Sequence, residues 1–502
     1  LLLSIKELIV VLLISIGVFK LTQPVAQLYC SNSDFARRCK VWLALTITVF
    51  LAPNFWVFVL VATPVLIRLG RRDSNPAAAF VFLLYLLPPI SVPIPMIGFS
   101  YLISLDFHLL LTLCLLVPVA WRLWRDKQKS RAPGLAVLDT LLLAYCLLSS
   151  FLFLQPEIAR GVLMEWTFTD CIRRVVSYLL TIYIPYFVIS RTSTNRAVIK
   201  DMMASFSIKC ALLAGVAIFE SLRGWLLYSE LLPRWGSAAV GYLARGGQVR
   251  AMASTGHSLV LGYMLAVAFG FWLYLQEGVQ SKALRVAITG LLLFGLWASF
   301  SRGPWMVAIL IYLSFAAVGP QAFSKVFRAV ASMSVLALAV AISPLGQKII
   351  SVIPYFGGTV DVGNVEYRER LFTRSWQIIM DHPWFGDQEA LLKMEDLRQG
   401  EGIIDIINGF INILLNVGFV GLSLFVLFIL IGLSKALKIC LETAKRDPEL
   451  SKLGASIIAC VLGSLLMMWV AGLIDVMTCI LVGLMAAYVD LGRRLPASQR
   501  AQ

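Results

Sequence analysis

Two arginines stand where an apolar chain has little reason to carry charge. Arg302 lies in "FSRGPW" (300–305), between two runs long enough to cross a bilayer, with no acidic residue near it in sequence. Ser301, Gly303 and Pro304 around it mark a tight turn opening a helix. Backbone N–H groups at a helix N-terminus favour an anion, and a guanidinium beside them strengthens that preference. Arg250 lies in "QVRAMASTGHS" (248–258), just ahead of another apolar run, with Gly256 and His257 a turn or two further on. For each arginine the plainer alternative is a side chain snorkelling to the lipid headgroups.

A third basic cluster sits in "YRERLFTRSWQIIMD" (367–381), which reads as an amphipathic helix. At about 100° per residue, Leu371, Phe372, Trp376, Ile378 and Ile379 form one stripe. Arg370 and Arg374 fall beside it, whereas Arg368 falls inside it. An arginine pointing towards the protein needs an anionic partner, either an internal carboxylate or a ligand phosphate. The next stretch, "DHPWFGD" (381–387), offers His382 as a base or, more simply, a rigid His-Pro turn. Downstream come Glu401, Asp405 and Asn408. Asp405 and Asn408 share a helix face if the helix starts early, and Asp405 as an N-cap is the plain alternative. Three histidines, no HExxH and no CxxC argue against a zinc site. No Gly-rich nucleotide loop is present.

The elements that must position these residues are membrane spans. The chain has 502 residues, 59% hydrophobic and 14% charged, with a mean hydropathy of +0.83. Soluble domains carry about a quarter charged residues. Unbroken runs of about 20 apolar residues recur along the length, as helical spans require and barrel strands do not. The fold class expected is an all-α polytopic membrane protein of about 12–14 transmembrane helices with one long, partly helical outer loop. One run, 43–69, carries Pro53-Asn54 at its middle and is either a bent helix or two short ones. Others, including 77–97 and 326–343, read as plain spans.

The net charge of +15 is scattered through short loops. That is the positive-inside pattern, and no basic block points to nucleic acid. Segments 122–131, 191–200, 281–285, 324–328 and 434–446, with Arg493 and Arg494, fall on one, cytoplasmic, side. The loop with Arg37, Arg38 and Lys40 fits this count poorly. Cys30 and Cys39 share that loop and can pair only if it faces an oxidising compartment. The outer face receives 155–171, 224–254 and 344–408, the last with ten acidic and six basic residues. The organisation expected is N-terminal spans (1–245), spans carrying the arginine motifs (246–343), the outer loop (344–408) and C-terminal spans (409–502).

In the order and sidedness of these motifs the chain resembles the O-antigen ligase and O-antigen polymerase superfamily of bacterial envelope glycosyltransferases. The resemblance covers roughly residues 245–435. It rests on Arg250 with Gly256 and His257, the "SRGPW" turn, the long loop with "YRERLFTRSWQIIMDHPWFG", and "NGFINILLNVGFVGLSLF". It implies a GT-C-like inner-membrane protein whose periplasmic loop caps a cavity at the outer membrane surface. The implied donor is an undecaprenyl-pyrophosphate-linked oligosaccharide, its phosphates held by Arg250 and Arg302, with no metal or other cofactor. His257, Arg368, Arg374, Glu401 and Asn408 are then substrate-binding candidates.

Ligases of the family carry a histidine where this chain reads "DIINGF"; here Asp405 and Ile407 occupy that region, with Asn408 matching the usual asparagine. The departure favours a repeat-unit polymerase for exopolysaccharide, capsule or O-antigen over a ligase. Asp405 or Glu401 then serves as base in an inverting transfer. A chain-length regulator and a flippase are the protein partners such a role implies. The rival without chemistry is a lipid-linked oligosaccharide transporter, which favours polar residues buried mid-span and broken helices.

Overall fold

The computed structural model describes residues 2–95, 103–126, 134–152, 157–159, 162–164, 168–231, 235, 244–245, 248–318, 324, 326–328, 330–331, 362–398, 404–472 and 476–494. The span expected at 326–343 falls almost wholly outside them, as does Glu401. The chain is all-α and polytopic. In order come α1 (Leu2–Tyr29), α2 (Asn32–Leu51), α3 (Phe55–Arg72) and α4 (Pro76–Leu83). They are followed by α5 (Phe107–Arg125), α6 (Ala136–Leu152), α7 (Thr169–Thr192) and α8 (Arg196–Arg223). The site-bearing helices are α9 (Ser258–Leu275), α10 (Lys282–Ala298), α11 (Arg302–Ala317) and α12 (Val362–Asp381). Last come α13 (Gly409–Thr443), α14 (Pro448–Ala471) and α15 (Val476–Arg494). Among the described residues eight helices are long and apolar enough to cross a membrane, with two shorter apolar ones, α6 and α11. Strands are confined to two-stranded hairpins.

The basic loops gather at one face. Arg196 pairs with Asp447 and Lys200 with Glu449, while Lys452 Nζ lies 2.7 Å from Glu277. The loop of Arg37 and Arg38 joins them, because Arg38 bridges Asp73 (2.8 Å) and Asp201 (2.7 Å) at the start of α8. Its poor fit by counting arose from the 43–69 run. Asn54 caps α3 by accepting from Val57 N, so that run is the end of one helix and most of another, and every span before it changes direction. Cys30 and Cys39 are both free thiols.

The 77–97 run is not a plain span either. Helix α4 stops at Leu83, Tyr85 takes a left-handed φ of 62°, and Pro88-Pro89 carry the chain to a hairpin of Ser91–Pro93 with Ser104–Asp106. Lys209, fully buried in the middle of α8, donates to Leu84 O (2.8 Å) at the end of α4. A cation there complements the helix dipole and satisfies a carbonyl freed by the break. Irregular backbone at membrane depth is tolerated where protein covers it, and residues 77–88 are buried throughout. The spans are thus less clean than hydropathy implies.

Candidate functional site

At the face opposite the basic loops, one buried carboxylate shapes the segment ahead of α9. Glu220, in the last turn of α8, has no exposed surface. Its Oε1 accepts from Leu227 N (2.9 Å), and its Oε2 accepts from Met252 N (3.0 Å) and Ala253 N (2.8 Å). These bonds hold Ala253 at a φ of 47°, and Gly256 follows at 73°. Ser254 Oγ donates to Tyr85 O (2.7 Å), tying the segment to the broken fourth span. A glutamate inside the apolar run 203–223 is visible in the sequence; its role is not, because its partners lie in two later loops.

The same segment meets the turn between α10 and α11. Ala251 N donates to Ala298 O (3.1 Å), so the chains run side by side. Arg250 Nη2 then donates to Ser301 Oγ (2.8 Å) and its Nε reaches Ser299 O (3.5 Å). Ser301 Oγ in turn donates to Ser299 O (3.0 Å), so this residue, at the N-cap position, makes no side-chain cap to α11. Phe300 between the serines takes a φ of 44°. Arg302 is the first residue of α11, and its Nε is buried with no hydrogen-bond partner among the described residues. Pro304 lacks an N–H, leaving those of Arg302 and Gly303 at an uncapped helix start. The structure thus brings Arg250 and Arg302 to one place, beside backbone donors that suit an anion.

His257 caps α9, its Nδ1 accepting from Leu259 N (3.1 Å). That bond assigns the proton of the neutral ring to Nε2. Burial lowers the His257 pKa and the charge of Arg250 lowers it further, against an opposing pull from Asp405. His257 is therefore a neutral donor through Nε2 near pH 7. Asp405 keeps solvent contact, yet enough protein surrounds it that burial raises its pKa, with the charges of His257 and Arg368 acting the other way. Arg250, His257, Asp405 and Arg368 are therefore electrostatic neighbours.

Several expectations need correction here. Arg368 is exposed rather than buried in the stripe; the residues of α12 that point inward are Leu371, Ser375, Ile378 and Ile379. Arg368 shares their side of the helix but lies near its start, level with Asp405, where α13 has not yet begun to cover it. Tyr367 Oη fixes that level, accepting from Asp405 N (3.0 Å) and donating to Asp405 O (3.1 Å). Asp405 and Asn408 share no helix face, because α13 starts at Gly409. Asn408, not Asp405, is the N-cap, its Oδ1 accepting from Phe410 N and Ile411 N. Arg374 donates to Lys393 O (3.0 Å), bracing α12 against a short turn of helix at Leu392–Leu397. His382 belongs to a turn, its ring 3.8 Å from Asp387.

That turn explains how the loop is held. Helix α13 breaks at Gly418, whose φ of 64° interrupts the ladder. The freed groups bond to the turn: Asp387 N to Leu415 O (2.7 Å), Phe419 N to Pro383 O (2.8 Å) and Val420 N to Trp384 O (3.2 Å). A Cβ on Gly418 would stand 2.3 Å from Trp384 backbone, so only glycine fits. Nearby, residues 406–407 press against the end of α14, where a Cβ on Gly472 would meet Ile406 O at 2.7 Å. Gly303 packs on Val470 of the same helix, which brings the α11 start, the Asp405 strand and the α14 end together.

Among the described residues no group of three or more His, Cys, Asp or Glu is placed to hold a metal ion. Residues 287–426 match the family model described as O-antigen ligase, consistent with an O-antigen ligase and polymerase type superfamily. The matched segment includes Arg302, Arg368, Arg374, Asp405 and Asn408, while Arg250 and His257 precede it. No curated protein matches the chain.

Proposed function

We propose that this chain is a glycosyltransferase that joins undecaprenyl-pyrophosphate-linked oligosaccharide repeat units into a polymer at the periplasmic face of a bacterial inner membrane. The observation that carries the reading is Arg302, buried at its Nε and unpartnered, at an uncapped helix start that Arg250 braces through Ser301. The family match supports the broader class. A pyrophosphate suits two guanidiniums and adjacent N–H groups, since each can bind two oxygens of a tetrahedral anion.

In the proposed step an acceptor hydroxyl oxygen attacks the anomeric carbon of the donor. The bond from that carbon to the pyrophosphate breaks, and its electron pair leaves with the lipid pyrophosphate. Arg250, Arg302 and the backbone N–H groups of Arg302 and Gly303 meet the charge that develops there. Asp405 takes the hydroxyl proton, and His257 donates through Nε2 to the saccharide. Attack opposite the leaving group inverts the anomeric centre. An aspartate in place of the ligase histidine favours polymerisation over transfer to a different acceptor.

A second reading has one observation behind it: the fourth span is broken beside a buried Lys209, a feature that lipid-linked oligosaccharide transporters would also use. Reconstitution of purified protein with a lipid-pyrophosphate oligosaccharide, with products resolved by size, separates the readings. A ladder of multiples on lipid, lost in Arg302→Ala, is the expected outcome. Single transfer to another lipid acceptor would make the protein a ligase. Movement of donor between leaflets without transfer would make it a transporter.

A further inference from the structure

Helix α12 has two apolar sides. Leu371, Ile378 and Ile379 are buried against Leu414 and Leu415 of α13. Phe372, Trp376 and Met380, each four apart, form a second row that is 53%, 43% and 49% exposed. The row continues into the turn with Trp384 and Phe385, 67% and 51% exposed. Such a contiguous apolar row is not accounted for by the loop's own core, and isolated exposed residues would not need explaining. Thr373 and Gln377 beside it are polar and exposed, and Arg370 and Arg374 turn away to the carbonyls of Asp396 and Lys393.

Two rulers place the lower end of this row against the bilayer. The first is α13. Lys435 lies close enough to Arg493 to feel its charge, at the basic face. From Lys435 to Gly418 the helix rises about 25 Å at ~1.5 Å per residue, against a hydrocarbon core about 30 Å thick. The second is α14, whose Trp469 is 60% exposed near its far end. An exposed tryptophan there marks the aromatic belt at the headgroups. Phe410, about two turns or ~12 Å of helix ahead of the α13 break, sits 6.2 Å from that ring. Gly418 thus lies below the belt, on its acyl-chain side, and the hydrogen bonds from Phe419 and Val420 hold Pro383 and Trp384 at its depth.

We propose that the C-terminal end of α12 and the following turn form a membrane-dipping tip, with Trp376, Met380, Trp384 and Phe385 seated in the acyl chains and headgroups of the leaflet opposite the basic loops. Phe372 stands at the upper edge of the seated row. The occupant of this surface is the lipid bilayer. Its depth argues against a water-soluble partner, and the row itself, made of Phe, Trp and Met side chains, suits acyl chains. One consequence rests on the proposed function: the tip would hold Arg368 and Asp405 at headgroup height, so that a lipid-borne phosphate meets the site without leaving the bilayer.

The test is tryptophan quenching in full-length protein reconstituted into phosphatidylcholine vesicles brominated at shallow or deep acyl carbons. Thirteen tryptophans share the emission, so each reading is a difference between the parent and one conservative variant. Trp384→Phe and Trp376→Phe should each remove about one tryptophan's share of the bromolipid-quenchable emission. Neither should reduce quenching by aqueous iodide. Trp272→Phe, buried within the bundle, should change neither. Loss of iodide-quenchable rather than bromolipid-quenchable emission in both variants would overturn the proposal and turn the row into a water-facing platform for stacked sugars. The two variants report independently, so failure of one to fold leaves the other decisive, and neither readout depends on transferase activity.

Discussion

Arg38 and Arg302 are the same side chain under opposite treatment. Arg38 has no exposed surface and is saturated: its guanidinium donates to both oxygens of Asp73, to Asp201 and to Ser205. Asn75 completes the cluster by donating to Asp201 (2.9 Å). Arg302 is half-buried at the opposite face, with its Nε buried and lacking any acceptor. A buried charge is tolerated when carboxylates and hydrogen bonds surround it, and such a cluster fixes helices relative to one another. A guanidinium nitrogen buried without an acceptor carries a cost of its own, even where the rest of the group keeps solvent contact. The first arginine holds α2, α3 and α8 together, and the second is the one that the proposed function assigns to an anion.

The contrast can be broken by removing each arginine in turn. Arg38→Ala leaves Asp73 and Asp201 buried without their cation, and breaking a buried pair this way costs about 3–5 kcal/mol. The expected result is a large drop in melting temperature and yield in detergent, with normal transfer per folded molecule. Normal stability would show that the cluster is not structural. Arg302→Ala should do the reverse: transfer falls by about 10²–10³, the usual loss when one donor to a developing oxyanion is removed, and the melting temperature barely moves. Equal losses of stability in the two variants would erase the distinction between them.

A smaller effect sharpens the site's own asymmetry. Burial raises the Asp405 pKa, so its carboxylate forms above the ordinary aspartate range. If Asp405 accepts the proton, transfer rises with pH through that elevated value and falls as pH drops below it. Burial and Arg250 lower the His257 pKa, so this ring is neutral around pH 7 and adds no limb there. The pH–rate profile of kcat/KM checks the direction, and Asp405→Asn should flatten the acid limb. A profile unchanged by Asp405→Asn would remove it as base.

Much of the architecture was legible because hydropathy is local. Long apolar runs make helices wherever the backbone must satisfy its own hydrogen bonds in lipid, and the "SRGPW" turn announced the start of α11 by its Pro and Gly. Reading failed where a single residue changed the local rule. Asn54, as an N-cap, divided one apolar run into two helices. Leu84 and Tyr85 end α4 early, where Lys209 and Ser254, far along the chain, supply donors for their carbonyls.

The sequence by itself determined the class, the basic loops that share one face, the amphipathic character of α12, and both arginines at span ends. Those follow from composition and from periods of a few residues. Only the tertiary structure decided which charges are spent and which are left over. Asp73 and Asp201 reach Arg38 from 35 and 163 residues away, Glu220 shapes a loop 33 residues ahead of it, and Arg250 finds Ser301 across 51. Charge balance is a sum over neighbours in space, and spacing along the chain does not contain it.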